Sequence, residues 1–464
     1  MTIDTGQSTH PDITPKRVVL FIAVLAGFLT PFDGSAVNIA LPTIGAEYLM
    51  DAISLSWVST AYLLSSAVFL VPFGKIADLY GRKKVFLYGI SIFTASSLLM
   101  TQVPTADMLI LVRVLQGIGS AMIFGTGVAI ITNLFPPGER GKALGIYITS
   151  VYFGLSVGPF LGGLLTQYLG WRSIFYINVP IGLLAIFLII RYLKGEWAGC
   201  RGERFDLAGS VMYGIALIAL MYGLSELPGL SGVVLVLIGL IGAGIFIKYE
   251  QSIPSPVLEM QLFSDRAFTF SNLAALINYS ATFAVTFLLS LDLQYTKGFT
   301  PEQAGLVLIA QPVMMALVSS FAGKLSDRIE PRIVASAGMG ITTVGLILLV
   351  FLTDTTPIWY IILSLLALGV GFGLFTSPNT NAVMSRVDKR FYGVASGTLA
   401  TMRLLGQMLS MGIAMMIFAI VIGQVQITPE YYPQFMASLH IGFLLFSGLC
   451  CLGVVASLYR GPVR

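Results

Sequence analysis

Charge is what this sequence has least of. Only 10% of its 464 residues are Asp, Glu, Lys or Arg, while 56% are hydrophobic. A soluble domain carries roughly 25% charged residues, so this chain cannot clothe a surface in water and reads as an integral membrane protein. Histidine and cysteine are also scarce. His10 and His440, with Cys200, Cys450 and Cys451, show no metal-ligand or disulfide spacing. The cysteines read as apolar filler, and no metal or other cofactor is expected. There is no nucleophile–base set, and no Gly-x-x-x-x-Gly-Lys-Ser/Thr loop to cradle phosphates. Neither enzyme chemistry nor drive by ATP is expected. The net charge of +4 needs no nucleic acid to explain it. The polar N-terminus has no signal-peptide pattern before Lys16.

What the chain has is long apolar runs. A helix needs about 20 apolar residues to cross a bilayer. Fourteen runs qualify, near 17–41, 55–75, 84–102, 108–134, 142–168, 173–193, 207–227, 230–249, 267–293, 303–323, 332–352, 358–385, 393–423 and 438–459. The basic residues test that count. With both termini cytoplasmic, only Arg172 and Lys297 of the 26 Lys and Arg fall in outer loops. Arg113 and Arg403 fall inside runs, and the other 22 collect on the inner side. Cytoplasmic loops carry an excess of Lys and Arg, so count and orientation support each other.

The polar stretch Gly74–Lys84 (GKIADLYGRKK) lies between the second and third runs and reads as a tight cytoplasmic turn. Gly74, Lys75 and Asp78 recur 249 residues later as Gly323, Lys324 and Asp327. A second echo pairs Gly141-x-x-x-Gly145 with Gly393-x-x-x-Gly397, each entering a run, where small residues let backbones approach. Two related halves follow: a six-helix bundle over 1–195 and another over 266–464. Residues 196–265 supply two linking spans and an inner connector broken by Pro254 and Pro256.

Four motifs carry a resemblance. Gly74-x-x-x-Asp78-x-x-Gly81-Arg82-Lys83 resembles the loop motif of the major facilitator superfamily, with Leu79 where a basic residue is usual. Asp78 is expected near the start of a helix or turn, where free N–H groups welcome a carboxylate. Arg82 could pair with it and hold a gate; the plainer reading is a positive-inside anchor. Asp33 stands midway along the first run, in a stretch resembling the first-span motif of the fourteen-helix drug:proton antiporters, with Ser35 where Thr is usual. A carboxylate there costs about 2.5–3.5 kcal/mol on insertion scales. Desolvation disfavours its charged form, so Asp33 is a candidate proton carrier; the alternative is a structural Asp. In the fourth run, Arg113-Val114-Leu115-Gln116-Gly117 resembles the superfamily's Arg-x-x-Gln-Gly motif, and Arg113 is the candidate partner of Asp33. In the fifth, Gly154, Gly158, Pro159, Gly162 and Gly163 resemble the antiporter motif of drug exporters. Pro159 is expected to kink that helix, and the glycines to give it a smooth face. The stretch from Trp171 to Pro180 resembles the family's next turn, with Trp171 and Tyr176 suited to an interfacial belt.

Phe32, Asn38, Tyr62, Gln116, Tyr147, Asn278, Gln311, Asn379, Arg403 and Gln407 are candidates to line a substrate cavity. Bonding between helices would explain them as well. Asp292 reads as interfacial. The scarcity of acids in the second half argues for neutral, monovalent or lipid-like substrates.

The resemblance implies an all-α membrane fold, two six-helix bundles around a central cavity, and alternating access. It implies a proton-coupled exporter of small amphipathic or hydrophobic compounds in the cell membrane, working as a monomer. Its partners would be substrate, protons and membrane lipid. The rivals are a lipid or metabolite carrier on the same scaffold and a membrane receptor that does not transport.

Overall fold

The computed structural model describes residues 16–198, 205–253, 256–326, 328–385, 387 and 392–461, without the side chains of 137, 138, 140, 141, 392 and 393. Cys200, Pro254 and Asp327 lie outside the described residues, as do the surroundings of Gly141 and Gly393.

The described regular structure is helical. In chain order the helices are α1 Lys16–Tyr48, α2 Ala52–Tyr80, α3 Arg82–Met100, α4 Ala106–Leu134, α5 Pro137–Leu169 and α6 Arg172–Tyr192. Then come α7 Leu207–Ser225, α8 Leu230–Glu250, α9 Arg266–Leu291, α10 Pro301–Leu308 and α11 Ala310–Ser326. The last four are α12 Pro331–Val350, α13 Ile358–Ser385, α14 Tyr392–Val421 and α15 Tyr432–Tyr459. Helices α10 and α11 together make the tenth expected span, interrupted at Ile309. Thirteen of the described spans are long and apolar enough to cross a membrane. The fourteenth, α3, has only 19 residues and begins with Arg82, Lys83 and Lys84.

Local sequence sets several of these starts. Asp51 caps α2 by accepting from the Ile53 and Ser54 amides at 2.9 and 3.0 Å. Thr300 and Gln303 form a reciprocal capping box on α10, with Pro301 at its first position.

The structure refines several of these expectations. Gly74–Lys84 is not a loop: α2 runs to Tyr80 and α3 starts at Arg82, so the turn is Gly81 alone. Asp78 therefore sits in the last turn of a helix, not at a start. Of the stretch likened to the family's next turn, only Trp171 lies outside a helix: α6 begins at Arg172, next to the expected start of the sixth run, and the break is Gly170–Trp171. Trp171 is buried, with Nε1 donating to Glu47 at 2.6 Å, so only Tyr176 keeps the exposure of a belt residue. Asp292 lies just past the end of α9, in a π-helical turn, and is wholly buried against protein. Gly145 and Gly397 have open space where a β-carbon would point, so neither marks a close approach.

Helix α1 packs on α4, α5 and α6, and α4 on α2 and α3. In the second half, α13 packs on α11 and α12, and α9 on α14 and α15. Helix α7 touches both α2 and α14, and α8 packs chiefly on α7. The Tyr213 hydroxyl of α7 donates to Ala67 O at 3.1 Å. Where α1 ends, at Tyr48, the halves are sealed together. Ser290 Oγ donates to Asn38 O at 2.8 Å and Gln294 Nε2 to Ile39 O at 2.9 Å. Gln426 Nε2 donates to Leu49 O at 2.9 Å, and the Ala52 amide to Val425 O at 3.0 Å. Helix α5 also meets α10 there. Towards the Lys16 end the same surfaces part. A cleft of about 590 Å³ runs between α5 and α11, from Val157 to Ile148 on one wall and Ile309 to Gly323 on the other.

Candidate functional site

The first half gathers its buried polar groups around one carboxylate. Asp33 and Arg113 are both fully buried, and Arg113 Nη1 lies 2.6 Å from Asp33 Oδ2. Two amides complete the set: Gln116 Nε2 donates to Asp33 Oδ1 at 3.1 Å, and Asn178 Nδ2 to the same atom at 2.8 Å. Arg113 also donates to Gln116 Oε1 and, through Nε, to Val58 O at 3.0 Å. Gln116 donates further to Ser97 Oγ at 3.0 Å. The guanidinium lies 4.4 Å from the centre of the Tyr62 ring, whose hydroxyl bonds Ser120 Oγ at 2.9 Å. Five helices, α1 to α4 and α6, thus supply or brace this cluster.

A buried ion pair is strongly sensitive to loss of one partner, costing about 3–5 kcal/mol, because the other charge is stranded. The amides matter for the same reason. Every contact to Asp33 comes from a donor, so the arrangement suits a charged carboxylate. Adding a proton would turn an acceptor into a donor facing donors, and the cluster would have to rearrange.

The same helix packs directly on α5. Ser35 lies two residues past Asp33 and meets α5, its Oγ 3.5 Å from Gly154 O. A β-carbon at Gly154 would lie 2.6 Å from Phe28 O, one at Gly162 would lie 2.7 Å from Ala36 Cα, and one at Gly158 would run into Ser35 Oγ. Here α1 and α5 touch backbone to backbone, which only glycine permits. The far side of α5 meets the other half. A β-carbon at Gly163 would overlap Pro301 O, and one at Gly305 would overlap Pro159 O. Helix α5 is thus in close contact with α1 on one side and with α10 on the other.

The turn between α2 and α3 is held within its own half. Arg82 Nη2 and Asp78 Oδ1 are 2.7 Å apart, one helical turn from each other. Glu196, past the end of α6, accepts from the Lys83 amide at 2.8 Å, and the Arg82 amide donates to Trp197 O at 2.9 Å. Gly81 has φ +128° and no side-chain cap, and Glu196 occupies the space a β-carbon would need. Glu196 thus caps α3 from 113 residues away. A β-carbon at Gly74 would point into open space, so its own side-chain position answers to no close packing here.

A cavity of about 100 Å³ lies between the halves. Ser35 and Asn38 of α1, Tyr152 and Pro159 of α5, Tyr279 and Phe283 of α9, Gln311, Phe372 and Gln407 line it. Tyr152 also lines the larger cleft, joining the two. Of the cavity candidates, Asn38, Gln311 and Gln407 line this space. Phe32, Tyr62 and Gln116 belong instead to the packed first half around Asp33. Tyr147 packs with Ala23, Ile131 and Phe135, away from the cavity. Asn379 donates to Ser271 O at 3.1 Å, and Asn278 is buried beside the lining without forming it. Arg403 is not in the lining but lies beside Tyr279, 5.9 Å from its ring centre. Asn178 and Tyr152 were missed. A polar residue inside a run was the available signal for Asn178; nothing in the sequence separates Tyr152 from other packing tyrosines.

Known proteins agree with this architecture. The sequence profile of the Major Facilitator Superfamily matches residues 23–203 and 272–464. The chain is 30% identical over 447 residues to the riboflavin transporter RibZ of Clostridioides difficile, covering 96% of this chain and 97% of that one. It is 32% identical over 397 residues to the multidrug resistance protein Stp of Mycobacterium tuberculosis, covering 84% and 74%. The crystal structure of a bacterial homolog of the human lysosomal transporter Spinster, inward-facing and unoccupied, superposes with a TM-score of 0.65 at 16% identity over 96% of both chains. That last likeness concerns the fold alone. From profile, relatives and helical architecture together, this multi-pass membrane transporter belongs to the Major Facilitator Superfamily.

Proposed function

We propose that the chain is a proton-coupled exporter of small amphipathic or hydrophobic compounds, of the fourteen-helix drug:proton antiporter branch. The observation that carries this is the Asp33 cluster: a carboxylate sealed among donors on the helix that packs directly against the α5 glycine face. The basic residues support cytoplasmic termini. With that orientation the seal at Tyr48 faces outward, and the cleft past Tyr152 opens to the cytoplasm. The first bundle (1–195) rocks against the second (266–464), and 196–265 links them.

In the cycle, substrate enters from inside while Asp33 is charged and paired with Arg113. A proton arriving from outside displaces Arg113, α1 shifts on α5, and the α5–α10 seal opens or closes with it. One proton moving down 100 mV and one pH unit supplies about 2.3 plus 1.4 kcal/mol. That sustains a gradient of several hundredfold for a neutral substrate. The multidrug resistance relative supports export of amphipathic compounds. A second reading, a metabolite carrier on the same scaffold, is favoured by the riboflavin transporter, which matches nearly the full length of both chains. The Asp78–Arg82 pair holds the α2–α3 turn in shape for the gate rather than bridging the halves.

The test is flux into proteoliposomes under an imposed pH gradient, for wild type and Asp33→Asn, with a xanthene dye and riboflavin as cargoes. Gradient-driven accumulation that vanishes in the variant is the expected result. Accumulation that survives the substitution would remove Asp33 from coupling, and riboflavin moving alone would favour the metabolite reading.

A further inference from the structure

Arg403 is the unresolved charge of the second half. It sits on α14, one turn before the cavity residue Gln407. Its Nη2 donates to Thr380 Oγ1 at 2.6 Å, and its Nε is buried with no partner. No carboxylate lies within ion-pair distance of it among the described residues. Its guanidinium lies 5.9 Å from the centre of the Tyr279 ring, and Tyr279 lines the cavity together with Gln407 of α14, so Arg403 stands next to the cavity wall without itself lining it.

A guanidinium is a permanent cation. Within a membrane protein such groups face a cavity and pair with another charge, because an unpaired one is expensive. Arg113 meets that need through Asp33; Arg403 has only a hydroxyl. Asp33 cannot serve both, being enclosed in the first half with three donors already on it. The cavity lining contains no Asp or Glu that would recognise a cation. It does contain flat apolar surface in Tyr152, Tyr279 and Phe372, and an unpartnered acceptor in Gln311 Oε1.

We infer that the transported compounds include aromatic anions, with a carboxylate, sulfonate or phosphate taken by Arg403 and the ring system held between Tyr152, Tyr279 and Phe372. This rests on the exporter reading for its route across the membrane, and narrows that reading to a substrate charge. The anion supplies the missing partner, and the bond is charge-assisted and able to be bidentate. The unmet Gln311 carbonyl takes a donor elsewhere on the same ligand.

Fluorescein and rhodamine 123 share a xanthene ring system and carry opposite charges at neutral pH, so they separate charge from shape. Binding to the detergent-purified full chain is followed by fluorescence anisotropy, for wild type, Arg403→Lys and Arg403→Gln. Wild type is expected to hold fluorescein more tightly than rhodamine 123. Arg403→Gln should weaken fluorescein by about tenfold or more and erase the preference, while Arg403→Lys restores part of it. A wild type that prefers rhodamine 123, or a monodisperse Arg403→Gln protein that binds fluorescein as wild type does, overturns the inference. The wild-type comparison decides even if no variant folds. Anisotropy needs no proton gradient. A chain that binds fluorescein through Arg403 yet accumulates nothing in vesicles would overturn the exporter reading and leave this one standing.

Discussion

Replacing Gly163 with alanine should open the seal at the Tyr48 end without unfolding either half. The added β-carbon would overlap Pro301 O and lie 3.0 Å from Pro301 C and 3.1 Å from Glu302 Cα. All three neighbours are backbone or Cα atoms of α10, so none can swing aside. Restoring ordinary contact means moving α10 away from α5 by several tenths of an ångström to about 1 Å. Overpacking of this kind costs about 1–3 kcal/mol. Here the cost falls on one conformation, because Gly163 touches the other half only where the halves are closed. The sealed population should therefore drop by about 5- to 150-fold relative to the open one. Spin labels at Leu169 and Thr355, both exposed at this end, would read the change by pulsed electron–electron resonance in a background with Cys200, Cys450 and Cys451 replaced by alanine. Wild type should give a short distance and Gly163→Ala a longer one. Gly305→Ala approaches the same interface from the other side, over Pro159 O, and should act alike. Gly145→Ala adds a methyl in open space on the same helix and should change nothing. Wild-type distances in a folded Gly163→Ala protein would refute the reasoning.

Other substitutions read other parts of the molecule. Arg113→Gln should destabilise the chain by about 3–5 kcal/mol by stranding Asp33, and Asp33→Asn with Arg113→Gln should melt above the single Arg113 variant; a double variant no more stable would mean the pair is not what holds α1 to α4. Asn178→Ala removes one of three donors to Asp33, and should cost about 1–3 kcal/mol in denaturant unfolding while lowering gradient-driven flux. Glu196→Ala should cost about 0.5–2 kcal/mol by uncapping α3. Gly81→Ala should cost more, and only partly recover in the Glu196→Ala background, because the positive φ penalty remains when the clash is gone. Equal melting of Gly81→Ala in both backgrounds would show that Glu196 does not fill that space.

The sequence made the spans legible because the bilayer imposes one simple rule, and fourteen runs could be counted against the placement of Lys and Arg. Asp33 and Arg113 were legible as charges where charges are costly, and their pairing across 80 residues followed from mutual need. Asn178 was lost for a local reason. It falls inside the sixth run, 173–193, but its stretch drew attention for the interfacial look of Trp171 and Tyr176, and its own polarity went unused although α6 carries it into the Asp33 cluster. Gly74–Lys84 failed in another way: polarity was taken for irregular backbone, although a helix end can extend beyond the hydrocarbon. The cavity was harder still. Membership depends on which side of a helix faces the gap between halves, and aromatic residues recur on every side. Hence Tyr147 was chosen and Tyr152, little more than one turn on, was not.

The hairpin of α7 and α8 has a consequence in parity. It enters the membrane and returns, and α8 rests chiefly on α7 rather than on either half. An addition of two crossings leaves everything downstream facing the same way; an addition of one would invert it. The repeated Gly-Lys pairs near the ends of α2 and α11, Gly74–Lys75 and Gly323–Lys324, can meet the same compartment only under that condition. The link between halves is therefore free to be absent, or to be two helices, four or six, but never odd. Its length could vary over evolutionary time while the machinery on either side kept its direction of work.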